Sequence, residues 1–190
     1  SIDQVLFIFD MSNSIAVNGS IDALHSFIDY YEDFLRDFKA GHLTGLDKAF
    51  VNRLVASRGE EAVIEMLSNK KFGIIFNRCQ SSKEISRCLD QLREYLETLD
   101  RFEEYKDRIH MVGMVPHHKI INITNNRGTL FYDKDSSLSK CINLVAENIL
   151  SENQNCPTLS TQNQEILNFL QKQGKGSWAS RFSKIASSVG

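Results

Sequence analysis

No apolar run in the 190 residues approaches the ~20 that a bilayer-spanning helix requires, which excludes a transmembrane helix. Charge of one sign is missing too. Lys and Arg total 22 against 24 Asp and Glu, and a net charge of −2 with a pI of about 6.2 lacks the basic footprint of a dedicated nucleic-acid binder. The four cysteines, Cys79, Cys88, Cys141 and Cys156, form no CxxC pair and have no histidine at metal-finger spacing. They read as reduced thiols in a reducing compartment rather than as disulfides or zinc ligands. A secretory leader would need a basic n-region, whereas Ser1 to Gln4 run straight into the apolar Val5 to Phe9. Opening directly on a strand suits an excised domain or part of a longer protein. No glycine elbow surrounds any serine, so a Ser-His-Asp arrangement has no support.

What is present is ordinary globular material, 42% hydrophobic and 24% charged, at a length that suits one domain. Val5 to Phe9 is a short continuous apolar run, the pattern of a strand covered on both faces in a parallel sheet. Met11 to Ser20 is polar and holds Asn18-Gly19, a turn signal. Ile21, Leu24, Phe27, Ile28, Tyr31, Phe34, Leu35 and Phe38 then recur at three- and four-residue steps, so a helix follows, with Ser20 as its expected N-cap. Gly41 and Gly45 break it. A helical insertion over about 39–70, divided by Gly59, leads to the strand Phe72 to Phe76, which ends in Asn77-Arg78. Ser81 or Ser82 can cap the long helix carrying Ile85, Leu89, Leu92 and Leu96. The strand Ile109 to Val115 stops at Pro116.

A helix is expected around Lys119 to Asn126, a short strand over Thr129 to Tyr132, and a helix from Ser136 or Ser137 through Ile149. Ser151 to Thr161 reads as a linker, and 162–190 as a helical C-terminal extension with segments at Gln162 to Gln173 and Ser177 to Ser188. Strands alternating with helices give parallel strands joined by right-handed crossovers, a three-layer α/β domain over 1–150.

Ligands of open parallel sheets bind at the carboxyl ends of the strands, beside helix N-termini. Three polar ends qualify: Asp10-Met-Ser-Asn-Ser14, Asn77-Arg-Cys-Gln80 and Pro116-His-His-Lys119. Phe72-Gly-Ile-Ile-Phe-Asn77-Arg78, a helix, and Ile109-His-Met-Val-Gly-Met-Val-Pro116 resemble the back half of the bacterial ParA/MinD-type (deviant Walker) ATPases. Asp3 to Asp10 and Asn125 to Ala146 are similar to that family's preceding strand and closing part, so the resemblance spans roughly 3–150. It implies a mostly parallel, helix-flanked sheet of the Rossmann-like P-loop NTPase type, binding ATP or ADP with Mg²⁺. It also implies dimerisation to position cargo through protein contacts, in the cytoplasm or peripherally at the inner face of the membrane. By the same resemblance Asn77 reads the adenine, because an amide offers one donor and one acceptor. Arg78 accompanies it, and Pro116 and His117 begin the segment lining the base. The family's Gly-rich lysine loop lies upstream of the region matched, and Gly174-Lys-Gly-Ser177 does not supply it. The chain as it stands is therefore expected to bind or assemble rather than hydrolyse.

The same residues admit a rival. Asp10-x-Ser12-x-Ser14 after an apolar strand matches the adhesion signature of von Willebrand factor A domains, where one carboxylate and two hydroxyls share a Mg²⁺. The Gly-Val hairpin expected after the first helix there is missing. His117 and His118 are adjacent and read as loop surface, and His25 as a partly buried packing residue. Glu60-Glu61 and Glu103-Glu104 read as solvated helix faces. In the tail, Trp178, Arg181, Phe182, Lys184 and Ile185 have the spacing of a short amphipathic helix that could touch an anionic membrane weakly. Packing on the domain or on a partner protein is the competing expectation.

Overall fold

Three short, nearly continuous apolar runs form one sheet. The computed structural model describes residues 4–117 and 136–173. Strands β1 (Gln4–Asp10), β2 (Lys71–Cys79) and β3 (Ile109–Pro116) pair in that order, all parallel. Around them lie α1 (Ser14–Lys39), α2 (Gly45–Arg58), α3 (Glu60–Ser68), α4 (Ser82–Thr98), the single turn α5 (Phe102–Tyr105), α6 (Ser136–Leu150) and α7 (Asn163–Gln173). The helix-flanked parallel sheet expected from the strand–helix alternation is present. The helix at Lys119 to Asn126, the strand at Thr129 to Tyr132, His118 and the tail from 174 onward lie outside the described residues.

The two sheet faces differ. Phe9, Phe72, Ile74, Phe76, Ile109, Met111 and Met114 join the main core with α1, α4 and α7, where Leu24, Ile28, Leu89, Leu92, Ile166 and Leu170 are at most 1% exposed. The opposite face carries a small second cluster, Ile75 and Val112 against Val145 and Ile149 of α6. Gly73 lies beneath it. A Cβ there would come within 2.7 Å of Leu6 Cδ2 and Val112 Cγ2, so the crossing side chains require glycine.

That second layer stops short of β1. Ile8 is 66% exposed and Leu6 39%, so among the described residues the expected cover on both faces of β1 is not seen. Apolar continuity in the run could not reveal it, because α6 follows β3 and packs over β3 and β2.

Helix α1 also begins earlier than its apolar stripe suggests. Asn13, not Ser20, is the N-cap: its backbone is extended and its side-chain oxygen accepts from Ala16 N at 3.0 Å. Asn18-Gly19 sits inside the helix, where Gly19 is exposed and meets nothing. The Ser20 hydroxyl instead donates to Ala16 O and accepts from Asp10 N. Gly41 and Gly59 take left-handed backbone angles (φ 72° and 84°) at the breaks read from the sequence. Ser81 caps α4 reciprocally with Glu84, a capping box written as Ser-x-x-Glu.

Ser151–Thr161 does not hang free. Met111 N donates to Pro157 O (2.8 Å), Leu159 N donates to Ile109 O (2.9 Å), and Thr158 bridges His110 antiparallel. The segment thereby covers the outer edge of β3 and buries Leu159 and Asn153 completely. It carries α7 into the main core.

Candidate functional site

Because β1, β2 and β3 are adjacent and parallel, their polar exits lie side by side along one rim. Asp10 pairs in register with Asn77, Asn77 with Val115, and Cys79 with Pro116. Met11 N donates to Asn77 O (2.8 Å) and His117 N donates to Cys79 O (2.9 Å), so main-chain bonds lock the three exits together. Asn77 is half-buried, while Arg78 and His117 are exposed. The expected site residues Asn77, Arg78, Pro116 and His117 therefore do share one edge of the sheet.

Arg78 is the distorted element. The β2–β3 register slips between Asn77 and Cys79, and Arg78 takes φ 60°, which for a non-glycine residue costs on the order of 1 kcal/mol. The bulge releases its side chain from the ladder, and its Nη1 lies 3.4 Å from Asp10 Oδ2. Asp10 Oδ1 accepts from Ser12 N at 3.0 Å. The ion pair is exposed and contributes at most about 1 kcal/mol, so its effect is to orient rather than to stabilise.

Asp10, Ser12 and Ser14 follow one another out of β1 into the first turn of α1, with the outer Asp10 oxygen facing the Arg78 guanidinium. Ser12 Oγ accepts from the side-chain amide of Asn13 (3.3 Å). Among the described residues, no group of three or more His, Cys, Asp or Glu side chains could hold a metal.

Among the described residues, two helix N-termini flank this rim, and both are already engaged. Glu84 Oε2 accepts from Gln80 N and Ser81 N at 3.2 Å, and Asn13 caps α1. With Asp10 and Glu84 contributing negative charge, the N-terminal dipoles are offset and an additional anion gains little there. A neutral ligand with paired donor and acceptor groups suits the rim better.

Compared with models of protein families, with curated proteins and with solved structures, the chain matches none. The site must be read from its own chemistry.

Other chemistry-bearing groups lie away from the rim. The four cysteines are buried and none is in a disulfide, and burial pushes the Cys88 thiol up to about 12, far from thiolate reactivity. His25 stacks edge-on against Tyr95 and lies 3.3 Å from Asp29, a packing role. A cleft of about 310 Å³ lined by Gln4, Arg58, Met66, Lys71 and Glu152 sits at the amino ends of β1 and β2.

His110, on β3, is 8% exposed, and its Nδ1 has no partner. Burial lowers its pKa, the Lys71 ammonium adds to this, and the carbonyls of Cys156 and Asn153 with the Asp107 carboxylate oppose it. The folded form thus binds a proton less readily than the unfolded chain. Stability from this residue is complete above the ordinary imidazole value and is lost as the pH falls below about 6.5. Denaturation midpoints measured from neutral to mildly acidic pH should fall more steeply for the native chain than for His110→Gln. Parallel curves would show that the imidazole is not the group responsible.

Neither Asp10–Arg78 nor the Arg78 bulge was legible in the sequence, since 68 residues separate the pair. The Ser81-x-x-Glu84 spacing was legible, though not that it engages the amides of the rim. Among the described residues, no helix is long and apolar enough to cross a membrane. The candidate membrane-contact residues Trp178, Arg181, Phe182, Lys184 and Ile185 lie outside them.

Proposed function

We propose that the chain is a ParA/MinD-like α/β module that reads a purine base at the carboxyl rim of its sheet and works by protein contact rather than hydrolysis. The observation that carries this reading is that Asn77, paired with Val115, sits on the strand beside the one that runs into Pro116 and His117, so all three reach the same rim. A base edge needs an acceptor and a donor at fixed spacing; the Asn77 amide offers both, and main-chain groups after Pro116 can complete the contact. The amides at the start of α4 bond Glu84, which favours recognition of the neutral base over capture of phosphates. Arg78, held by Asp10, would close one side of the base as a flat cation. Mg²⁺ would accompany the nucleotide's phosphates and has no protein ligand set in this reading.

The test is thermal unfolding with adenosine, ADP or ATP, each with and without Mg²⁺. Adenosine and both nucleotides are expected to raise the midpoint in a concentration-dependent way, and Asn77→Ala to abolish the rise while leaving the unliganded midpoint nearly unchanged. Absence of any shift with all three ligands would remove the base-reading proposal. Stabilisation by Mg²⁺ alone that is lost in Asp10→Ala would replace it with the metal-adhesion reading.

A further inference from the structure

The segment 151–157 closes over a buried histidine. His110 pairs in register with Gly73, so its side chain leaves the sheet on the same face as that glycine. Asn153 covers this face, with Nδ2 3.4 Å from where a Gly73 Cβ would stand. The carbonyls of Asn153 and Cys156 lie against the imidazole. Two polar atoms sealed beneath the turn have no partner, His110 Nδ1 and Asn153 Oδ1, although His110 is 8% exposed and Asn153 not at all. A ring buried in this way is held neutral, because charging it would put an unsolvated cation under the turn.

The turn above the ring is held open against its own preference. Glu152 and Asn153 both take left-handed backbone angles (φ 54° and 59°), which non-glycine residues keep only where their surroundings impose it. Hydrogen bonds to the first two strands do so: Asn153 Nδ2 donates to Gln4 Oε1, and Lys71 Nζ reaches Glu152 O at 3.4 Å. Met111 N then donates to Pro157 O, and beyond it the Arg93 guanidinium grips Leu159 O and Thr161 O. The segment therefore has two fastenings, one over an imidazole and one on a guanidinium. Only the imidazole changes charge near neutral pH. The charged groups that act on it are Lys71 of β2 and Asp107 just before β3, and Asp107 already accepts from Ser160 Oγ. The Cys156 thiol, pushed up to about 11 by burial, stays neutral. From β1 and α6 come only the amides of Gln4 and Asn148.

We infer that His110 is an acid-sensitive latch: on taking a proton it releases 151–157 from the sheet, while Arg93 keeps 159–173 in place. A proton on the closed ring adds a second cation near Lys71, with only the shared Asp107 carboxylate to answer it. Lifting the turn hydrates the ring and lets Glu152 and Asn153 relax, so the open form binds the proton more tightly. The closed form dominates above the ordinary imidazole value, and opening sets in as the pH falls below about 6.5. One proton is linked to the step, so the open fraction rises at most about tenfold per pH unit. Opening frees Met111 N on β3 and uncovers the floor at Gly73. This inference uses none of the rim residues and stands independently of nucleotide binding.

Amide exchange of the whole chain between neutral and mildly acidic pH tests it, with protection corrected for the intrinsic exchange rates. Protection of Met111 N and Cys156 N, bonded to Pro157 O and Asn153 O, should fall by up to about tenfold per pH unit below about 6.5. That of Ile166 N and of the β1–β2 ladder should hold over the same range. His110→Gln should make Met111 N and Cys156 N as insensitive to pH as the ladder. Lys71→Met keeps the imidazole and removes the cation that opposes its protonation, so the fall should become shallower; this variant serves if His110→Gln does not fold. Constant protection of Met111 N and Cys156 N in the native chain, an equal fall in the β1–β2 ladder, or an undiminished fall in either variant would each overturn the assignment.

Discussion

Phe72→Ala is expected to reduce folding stability by about 3–5 kcal/mol, a substantial share of the roughly 5–15 kcal/mol typical of a domain. Phe72 is fully buried where β2 begins. Its ring meets Phe7, Phe27, Tyr31 and Tyr105 with centroids 5.8–6.5 Å apart, mostly edge-on or tilted, and the Arg108 guanidinium lies 5.4 Å from its centre. The ring therefore joins β1, α1, α5 and the start of β3. Alanine leaves a hole lined by four other rings, which are too rigid to collapse into it. Phe72→Leu keeps much of the volume and should lose about 1–2 kcal/mol. Urea denaturation at unchanged m-value measures both. A loss under 1 kcal/mol for the alanine variant would mean that the aromatic cluster is not the centre of the core.

Arg93→Ala is the second large effect, and it acts locally. From α4 the guanidinium donates to Leu159 O (3.1 Å), Thr161 O (2.8 Å) and the Asn163 side-chain oxygen, while the Asn163 amide donates to Ser86 Oγ and Asp90 Oδ1. Arg93 thus ties 159–163 to α4 just before α7 starts. Its removal leaves two main-chain carbonyls without their charged donor, a cost of about 2–4 kcal/mol. Arg93→Lys should not restore it, since an ammonium cannot span three acceptors set out for a planar fork. Amide exchange is the discriminating measurement. Protection of Leu159 N and Ile166 N should drop in Arg93→Ala while that of the β1–β2 ladder holds. Equal loss in both regions would mean that 159–173 unfolds only with the whole chain.

The rim was readable in outline. Asn77, Arg78, Pro116 and His117 follow apolar strands, and adjacent parallel strands align such exits without further instruction. The bulge at Arg78 was not readable, because it depends on a two-against-one mismatch with β3. Nor was the Asp10–Arg78 pairing, which needs β1 and β2 to be neighbours. The cap of α1 at Asn13 rather than Ser20 has a different cause. Asn13 and Ser20 both have cap chemistry, and the choice went to the residue that lets seven more residues join the helix. Ser20 then became free to receive Asp10 N.

Apolar periodicity and local caps, both short-range effects, were enough to specify the strands, most of the helices and the glycine breaks from the sequence alone. Among the described residues, the order β1–β2–β3, the docking of 151–161 along β3, and the packing of α6 over β3 and β2 were decided by the tertiary structure. Each depends on which distant segments compete for the same row of backbone hydrogen bonds or the same apolar face. A seven-residue apolar strand has the same composition at an edge as at a centre; only its neighbours distinguish the two.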